Sequence, residues 1–204
     1  YFTYSSYHFK NRDELQRAVN GYPQNIEQYG DISDWDVSNV TNMFYIFHHN
    51  NQFNGDISRW NVSNVTDMNA MFFGSKFNGD ISRWNVSNVT NMNCMFLNST
   101  FNGDISKWDV SKVTDMNGII CESKFNGDIS NWDVSNVAAM NSMFKNSIFN
   151  GDISRWDVSK VTGMTSMFSW SKFNGDISLW NVSSVQDMYC MFHMSKFQGD
   201  ISLW

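Results

Sequence analysis

The chain has one proline and three cysteines in 204 residues. Three thiols are too few and too irregularly spaced for the paired framework that staples small secreted domains, so their spacing suggests a reducing compartment or simple burial. Charge is also scarce. Only 17% of residues are Asp, Glu, Lys or Arg, and 14 basic residues face 20 acidic ones for a formal net charge of −6. Nucleic acids and acidic membrane surfaces require clustered Lys and Arg, so no nucleic-acid partner is expected. No apolar run approaches the ~18 residues of a membrane-spanning helix, and no direct membrane span is expected. The sequence starts at Tyr1 and not at an initiator Met, so any targeting segment is expected to lie outside it.

Buriable surface is abundant, with 42% hydrophobic and 16% aromatic residues, which excludes an intrinsically disordered chain. It is also periodic. The word Phe-Asn-Gly-Asp-Ile-Ser starts at 53, 77, 101, 125, 149 and 173, with Phe-Gln-Gly-Asp-Ile-Ser at 197, in steps of 24 residues. Trp60, Trp84, Trp108, Trp132, Trp156, Trp180 and Trp204 keep the same step, and Trp35 precedes Trp60 by 25. Met43, Met68, Met92, Met116, Met140, Met164 and Met188 form another column. A unit of this length cannot bury its own apolar side chains, but units stacked in register place like on like and make one continuous core.

Within a unit, Trp60-Asn61-Val62 has the alternation of a short strand, and Val65, Met68, Met71 and Phe72 have the spacing of a helical turn. The expected fold is therefore an α/β repeat solenoid of eight 24-residue rungs, the last one partial. Short parallel strands would form one face and short helical or 3₁₀ turns the other. Residues 29–204 form the solenoid, with units beginning near 29, 53, 77, 101, 125, 149, 173 and 197. Residues 1–28 lack the repeat, and Asn11 followed by Glu14, Leu15, Ala18, Val19 and Gly21 predicts an N-capped amphipathic helix, an N-terminal helical cap over the first rung. Trp204 falls eight residues into the last unit, so further sequence or a partner is expected to cover that open rung.

The unit from Asp56 to Phe72 resembles the short repeats of BspA-like surface proteins, a divergent leucine-rich-repeat family, and the segments 14–19 and 29–38 resemble that family's approach to its first repeat. The resemblance covers roughly residues 9–204. It implies a leucine-rich-repeat-like right-handed coil, an extracellular or cell-surface location, and a non-enzymatic adhesion or interaction role. It carries over no catalytic residues and no cofactor.

Candidate sites lie where columns vary, because stacking accounts for constancy and leaves departures to other causes. The two columns after the helical turn contain Phe73, Leu97, Trp170 and Met194, an apolar set suited to docking a partner. Leu179 and Leu203 replace the basic residues of another column, which elsewhere holds Arg59, Arg83, Lys107 and Arg155. Beside it runs a column with Asp109, Asp133 and Asp157. Both are expected to face solvent on the strand face, where a solenoid presents its concave surface. The repeated acids Asp31, Asp56, Asp80, Asp104, Asp128, Asp152, Asp176 and Asp200 would repel one another across rungs, and local acceptance of backbone N–H groups is the expected remedy, ahead of calcium. No metal, cofactor or catalytic group is expected. The four unrepeated histidines, including His8, His48 and His49, have no cysteine or carboxylate at ligand spacing. Asn39, Asn61, Asn64, Asn85, Asn88, Asn98 and Asn181 begin glycosylation sequons, mostly as by-products of the repeat.

These observations predict a non-enzymatic module that binds another protein or a surface glycan through its extended surface. The alternative is a structural linker or peripheral subunit of a larger assembly.

Overall fold

The computed structural model describes residues 6–204; residues 1–5, the start of the expected cap, lie outside the described residues. Helix α1 spans Arg12–Gly21, and a single helical turn, α2, spans Ile26–Tyr29. The Asn11 side chain accepts the Glu14 N–H at 3.0 Å and starts α1. Glu14 does not close the capping box on Asn11; its carboxylate takes the Lys10 N–H at 2.8 Å and the Tyr7 hydroxyl at 2.6 Å instead. The buried face of α1, Leu15, Ala18 and Val19, packs on the first coil. Arg12 Nε and Gln16 Nε2 tie the helix to the carbonyls of Phe44 and Ile46 at 2.8 and 2.9 Å.

Beyond a 3₁₀ turn at Ile32–Asp34, the described residues contain neither strands nor helices. The α/β solenoid with a parallel-strand face and a helical face is therefore incorrect, and the leucine-rich-repeat-like architecture is corrected with it. Neighbouring turns of the chain meet through isolated parallel bridges, one per turn: Asn42 to Asp67, Asp67 to Asn91, and onward to Gly163 and Asp187.

The reason lies in where the backbone groups go. In the segment expected to be a strand, Trp60 N–H bonds to Ile57 O and Val65 N–H to Val62 O, while Asn61 Oδ1 accepts the Ser63 N–H at 3.2 Å. Local turn bonds thus consume the groups that a ladder would need. In the segment expected to be helical, hydrogen bonds alternate. The N–H groups of Met68, Ala70, Phe72 and Gly74 reach the carbonyls of Asn91, Asn93, Met95 and Leu97 in the next coil, while those of Met71, Phe73 and Ser75 return to Met68, Ala70 and Phe72 in their own. The alternation requires a left-handed residue every fourth position, here Ala70 at φ 48° and Gly74 at φ 63°. A helix cannot include such residues, and a strand cannot make its intervening i to i+3 bonds.

The coils nevertheless stack like on like. Trp60 and Trp84 lie with ring centroids 6.5 Å apart and planes within 2°, and Phe72 on Phe96 and Phe77 on Phe101 repeat the arrangement. A single buried cluster runs from Phe9 to Met191. From Trp60 to Trp204, each indole Nε1–H of the column donates to the isoleucine carbonyl of the preceding coil, as Trp84 to Ile57 and Trp108 to Ile81, both at 3.1 Å. A buried serine column, including Ser75, Ser99, Ser123 and Ser147, accepts the N–H of the phenylalanine two residues on. The corner glycines have a steric role. A Cβ at Gly103 would lie 2.8 Å from the Phe101 ring, so only glycine lets that ring fold back over its own chain.

Removing one member of the stack leaves a cavity between two others. We expect Trp108→Ala to destabilise the protein by about 3–5 kcal/mol in chemical denaturation. Trp108→Phe should cost about 1 kcal/mol for the lost indole bond, because Ile81 O keeps the Trp84 N–H. Lys107→Ala, one residue away and exposed, should stay within about 0.5 kcal/mol. Equal losses from Trp108→Ala and Lys107→Ala would contradict this packing.

Candidate functional site

The charged columns form an exposed surface, indented only by a shallow, open cleft at its N-terminal end among Asp34, Asp36, Arg59 and Asn61. Arg59, Arg83 and Lys107 follow one another in successive turns, all exposed, until Asn131 interrupts them before Arg155. Asp109, Asp133 and Asp157 are likewise exposed in successive turns. Arg59 reaches Asp34 at 3.1 Å, an exposed pair that contributes little to stability. With no strand face, these residues line no concave ladder; they sit on the outside of tight turns.

Each repeated aspartate is held within its own turn. Asp104 Oδ1 accepts the Ser106 N–H at 2.9 Å and the Ser106 hydroxyl at 2.7 Å, and Asp109 holds Ser111 in the same way. The Ser106 hydroxyl and N–H lower the Asp104 carboxyl from its ordinary value. For Asp128, the Ser130 N–H and hydroxyl lower it, and repulsion from Asp104 and Asp152 only partly opposes them. Local hydrogen bonding therefore outweighs repulsion along the column. Asn61 and Asn85 make the same turn bond at their places in the neighbouring column, so the geometry does not need the charge. Among the described residues, no three His, Cys, Asp or Glu groups stand together as a metal site. His8 pairs with Asp36, whereas His48 stacks on Phe73 at 4.9 Å. The sequon amides of Asn64 and Asn88 are committed to the carbonyls of Ser38 and Ser63 at 2.8 Å.

The apolar candidates separate into two places. Phe73 and Leu97 are half-buried in successive turns, with Phe73 packed against His48 and His49. Trp170 and Met194 occupy equivalent places in the next column, three turns or more further along, and are 54% and 60% exposed. Leu179 and Leu203 are 79% and 77% exposed in their own column. Tyr189, also strongly exposed, went unremarked in the sequence reading, although it departs from a column that holds Asn69, Asn93, Asn117, Asn141 and Thr165.

Trp170 and Met194 stand at left-handed positions, φ 59° and 54°, whose equivalents are His49, Gly74, Asn98, Glu122 and Asn146. Glycine and asparagine are the residues that tolerate that conformation best, whereas a bulky side chain adopts it at a cost of roughly 1–2 kcal/mol. Cys121 and Cys94 have the opposite character: Cys121 is buried, and burial raises it to about 11, while burial also raises Cys94. A thiol so disfavoured as thiolate is a packing residue.

A family profile described as "Mycoplasma protein of unknown function, DUF285" matches the chain twice, over residues 13–123 and 97–204. Neither the curated proteins nor the solved structures contain a match.

The lowered aspartates set a pH dependence. A carboxyl whose folded value lies below its unfolded one contributes stability that is complete above the ordinary aspartate range and is lost as pH falls through the folded value. We expect the melting temperature to fall as pH drops below the ordinary aspartate value of 3.8. The combined variant Asp80→Asn, Asp104→Asn, Asp128→Asn, Asp152→Asn should keep the turns and flatten that fall. A profile as steep as wild type would remove these carboxylates from the account.

Proposed function

We propose, from the premise that this chain belongs to the DUF285 family, that it is a non-enzymatic recognition module whose exposed Trp170 and Met194 dock another protein. The observation that carries this reading is the conformational cost at those two places. Stability favours Gly or Asn at a left-handed, solvent-facing position, so a tryptophan and a methionine there serve something other than the fold. They are consecutive: the Trp170 N–H bonds to His193 O at 2.8 Å, and the His193 ring lies 6.1 Å from the indole. An indole held on a rigid stack loses little freedom on binding, and a methionine beside it adapts its shape to a partner, which together suit an interface anchor. The buried, proton-retaining Cys121 favours a non-catalytic reading, and the likeness of the Asp56–Phe72 unit to BspA-like surface proteins supports adhesion at a cell surface.

A photo-crosslinking residue at position 170 should yield one discrete protein adduct from the native source, and the same residue at Asn146, in the same column, should not. Trp170→Asn with Met194→Asn should abolish the partner's retention while leaving the melting temperature unchanged or slightly raised. Adducts of equal yield at both positions, or none at 170, would overturn the reading.

A further inference from the structure

The repeat slips once, and the slip opens a cleft. Asn50 lies under Ser75, a separation of 25 residues, whereas the word beginning at Phe53 recurs at Phe77 after 24. The additional residue therefore lies in Asn51-Gln52, where later turns have a single residue, such as Lys76 or Lys124. This bulge faces the C-terminal end of α1, and between them lies a cleft of about 760 Å³, within the size range of small-ligand sites.

Its lining is unusual for this chain. Six side-chain carboxamides border it, from Asn20, Gln24, Asn50, Asn51, Gln52 and Asn54, and none of the lining residues is Asp, Glu, Lys or Arg. Asn20 and Asn50 have their oxygens engaged, by Gln16 and by the Phe53 N–H. Gln24, Asn51, Gln52 and Asn54 make no side-chain hydrogen bond to any described residue. Asn54 is the telling case. Its equivalents Asn78, Asn102 and Asn126 each accept the next turn's N–H at 2.7–2.9 Å, and Asn54 does not. The ladder thus begins one turn late, and the amide it leaves over borders the cleft. Tyr22, half-exposed and edge-on to Phe53 at 6.3 Å, supplies an aromatic wall. His49 forms another part of the rim, against Gly74, where any Cβ would overlap its ring.

A carboxamide offers two donors and an acceptor without charge, the complement of vicinal hydroxyls. A flat aromatic wall suits the C–H face of a pyranose. The lining has no Asp, Glu, Lys or Arg to hold an ionised ligand, and six of its twelve residues are carboxamides, more polar groups than a bound peptide's apolar side chains would meet. We propose that this cleft binds a neutral oligosaccharide, with Gln24, Asn51, Gln52 and Asn54 hydrogen-bonding its hydroxyls and Tyr22 stacking on a ring. The site shares no residue with the Trp170–Met194 surface, so it stands independently of the protein-docking role.

The test is saturation-transfer NMR and calorimetry on the whole chain with neutral tetrasaccharides of glucan, mannan, galactan and chitin type. Tetragalacturonate and an uncharged decapeptide serve as the charged and peptide controls. At least one neutral tetrasaccharide should bind, and Asn51→Ala with Gln52→Ala should weaken it by about tenfold or more. The melting temperature should not move, since both residues are exposed. Trp170→Asn should leave the affinity unchanged. The proposal fails if no neutral tetrasaccharide binds at ~10 mM, if the double variant binds as wild type does, or if the uronate or the peptide binds more tightly than every neutral sugar.

Discussion

The hydrogen bond from each tryptophan of the Trp60–Trp204 column to the coil beneath it is the constraint on which the array depends. Ile57 O receives the Trp60 N–H from its own turn at 3.1 Å and the Trp84 indole N–H from the next, so both lone pairs of a buried carbonyl are used. One bond closes the turn and the other joins two turns. The same residue that fills the core thereby sets the register, because an indole displaced by one residue would leave its own N–H without a partner and a buried carbonyl with only one of its two bonds. Sheets achieve this with a ladder of backbone pairs. Here a side chain does so, which is why the chain can stack coils with only isolated bridges between them.

Freed from a ladder, the backbone can turn tightly, and the left-handed positions follow. Two per turn recur along the array, as at Ala70 and Gly74, Cys94 and Asn98, and Ser142 and Asn146. The first of each pair is mostly a small residue; the second is often Gly or Asn. Each costs the fold something, and the alternating bonds within and between coils offset that cost. A turn-built coil is therefore selective about residue type at predictable places. Trp170 and Met194, the large apolar residues that depart from this selection while facing solvent, gain significance that the same side chains on a helix would not have.

The inward columns were legible in the sequence because they follow from the period alone. Trp84, Val86, Met92 and Phe96 are all buried, and Lys107 and Asp109 are exposed, whatever secondary structure connects them. The aspartate turns were legible too, since Asp followed two residues later by Ser is a local motif. The strand and the helical turn were not, because Trp-x-Val and Val-x-x-Met place side chains on one side in several backbone conformations. What decides between these is the sign of φ at Ala70, Cys94 or Ser166, and none of those residue types announces a positive value. Phe73 and Trp170 read alike as apolar departures, yet one packs on two histidines and the other faces solvent. That difference comes from neighbours in other turns. The cleft at Asn51-Gln52 could be located only once the pairing of Asn50 with Ser75 placed the slip.

Repetition also settles how charge is carried. Stacking one acid over another along the array concentrates like charge, and a ladder of free carboxylates would oppose the stacking that the tryptophans enforce. Binding each carboxylate to the serine two residues on converts a repulsive column into a series of local turn locks, with Asp128 lowered by Ser130 despite Asp104 and Asp152 on either side. The locks are self-contained, so the positions beside them are released from any structural duty. Arg83, Lys107, Asn131, Arg155 and Leu179 succeed one another in a single exposed column without disturbing the core. A scaffold whose stability is held by indoles and serine locks leaves that outer column free to change chemistry from turn to turn, which is the property a recognition surface needs.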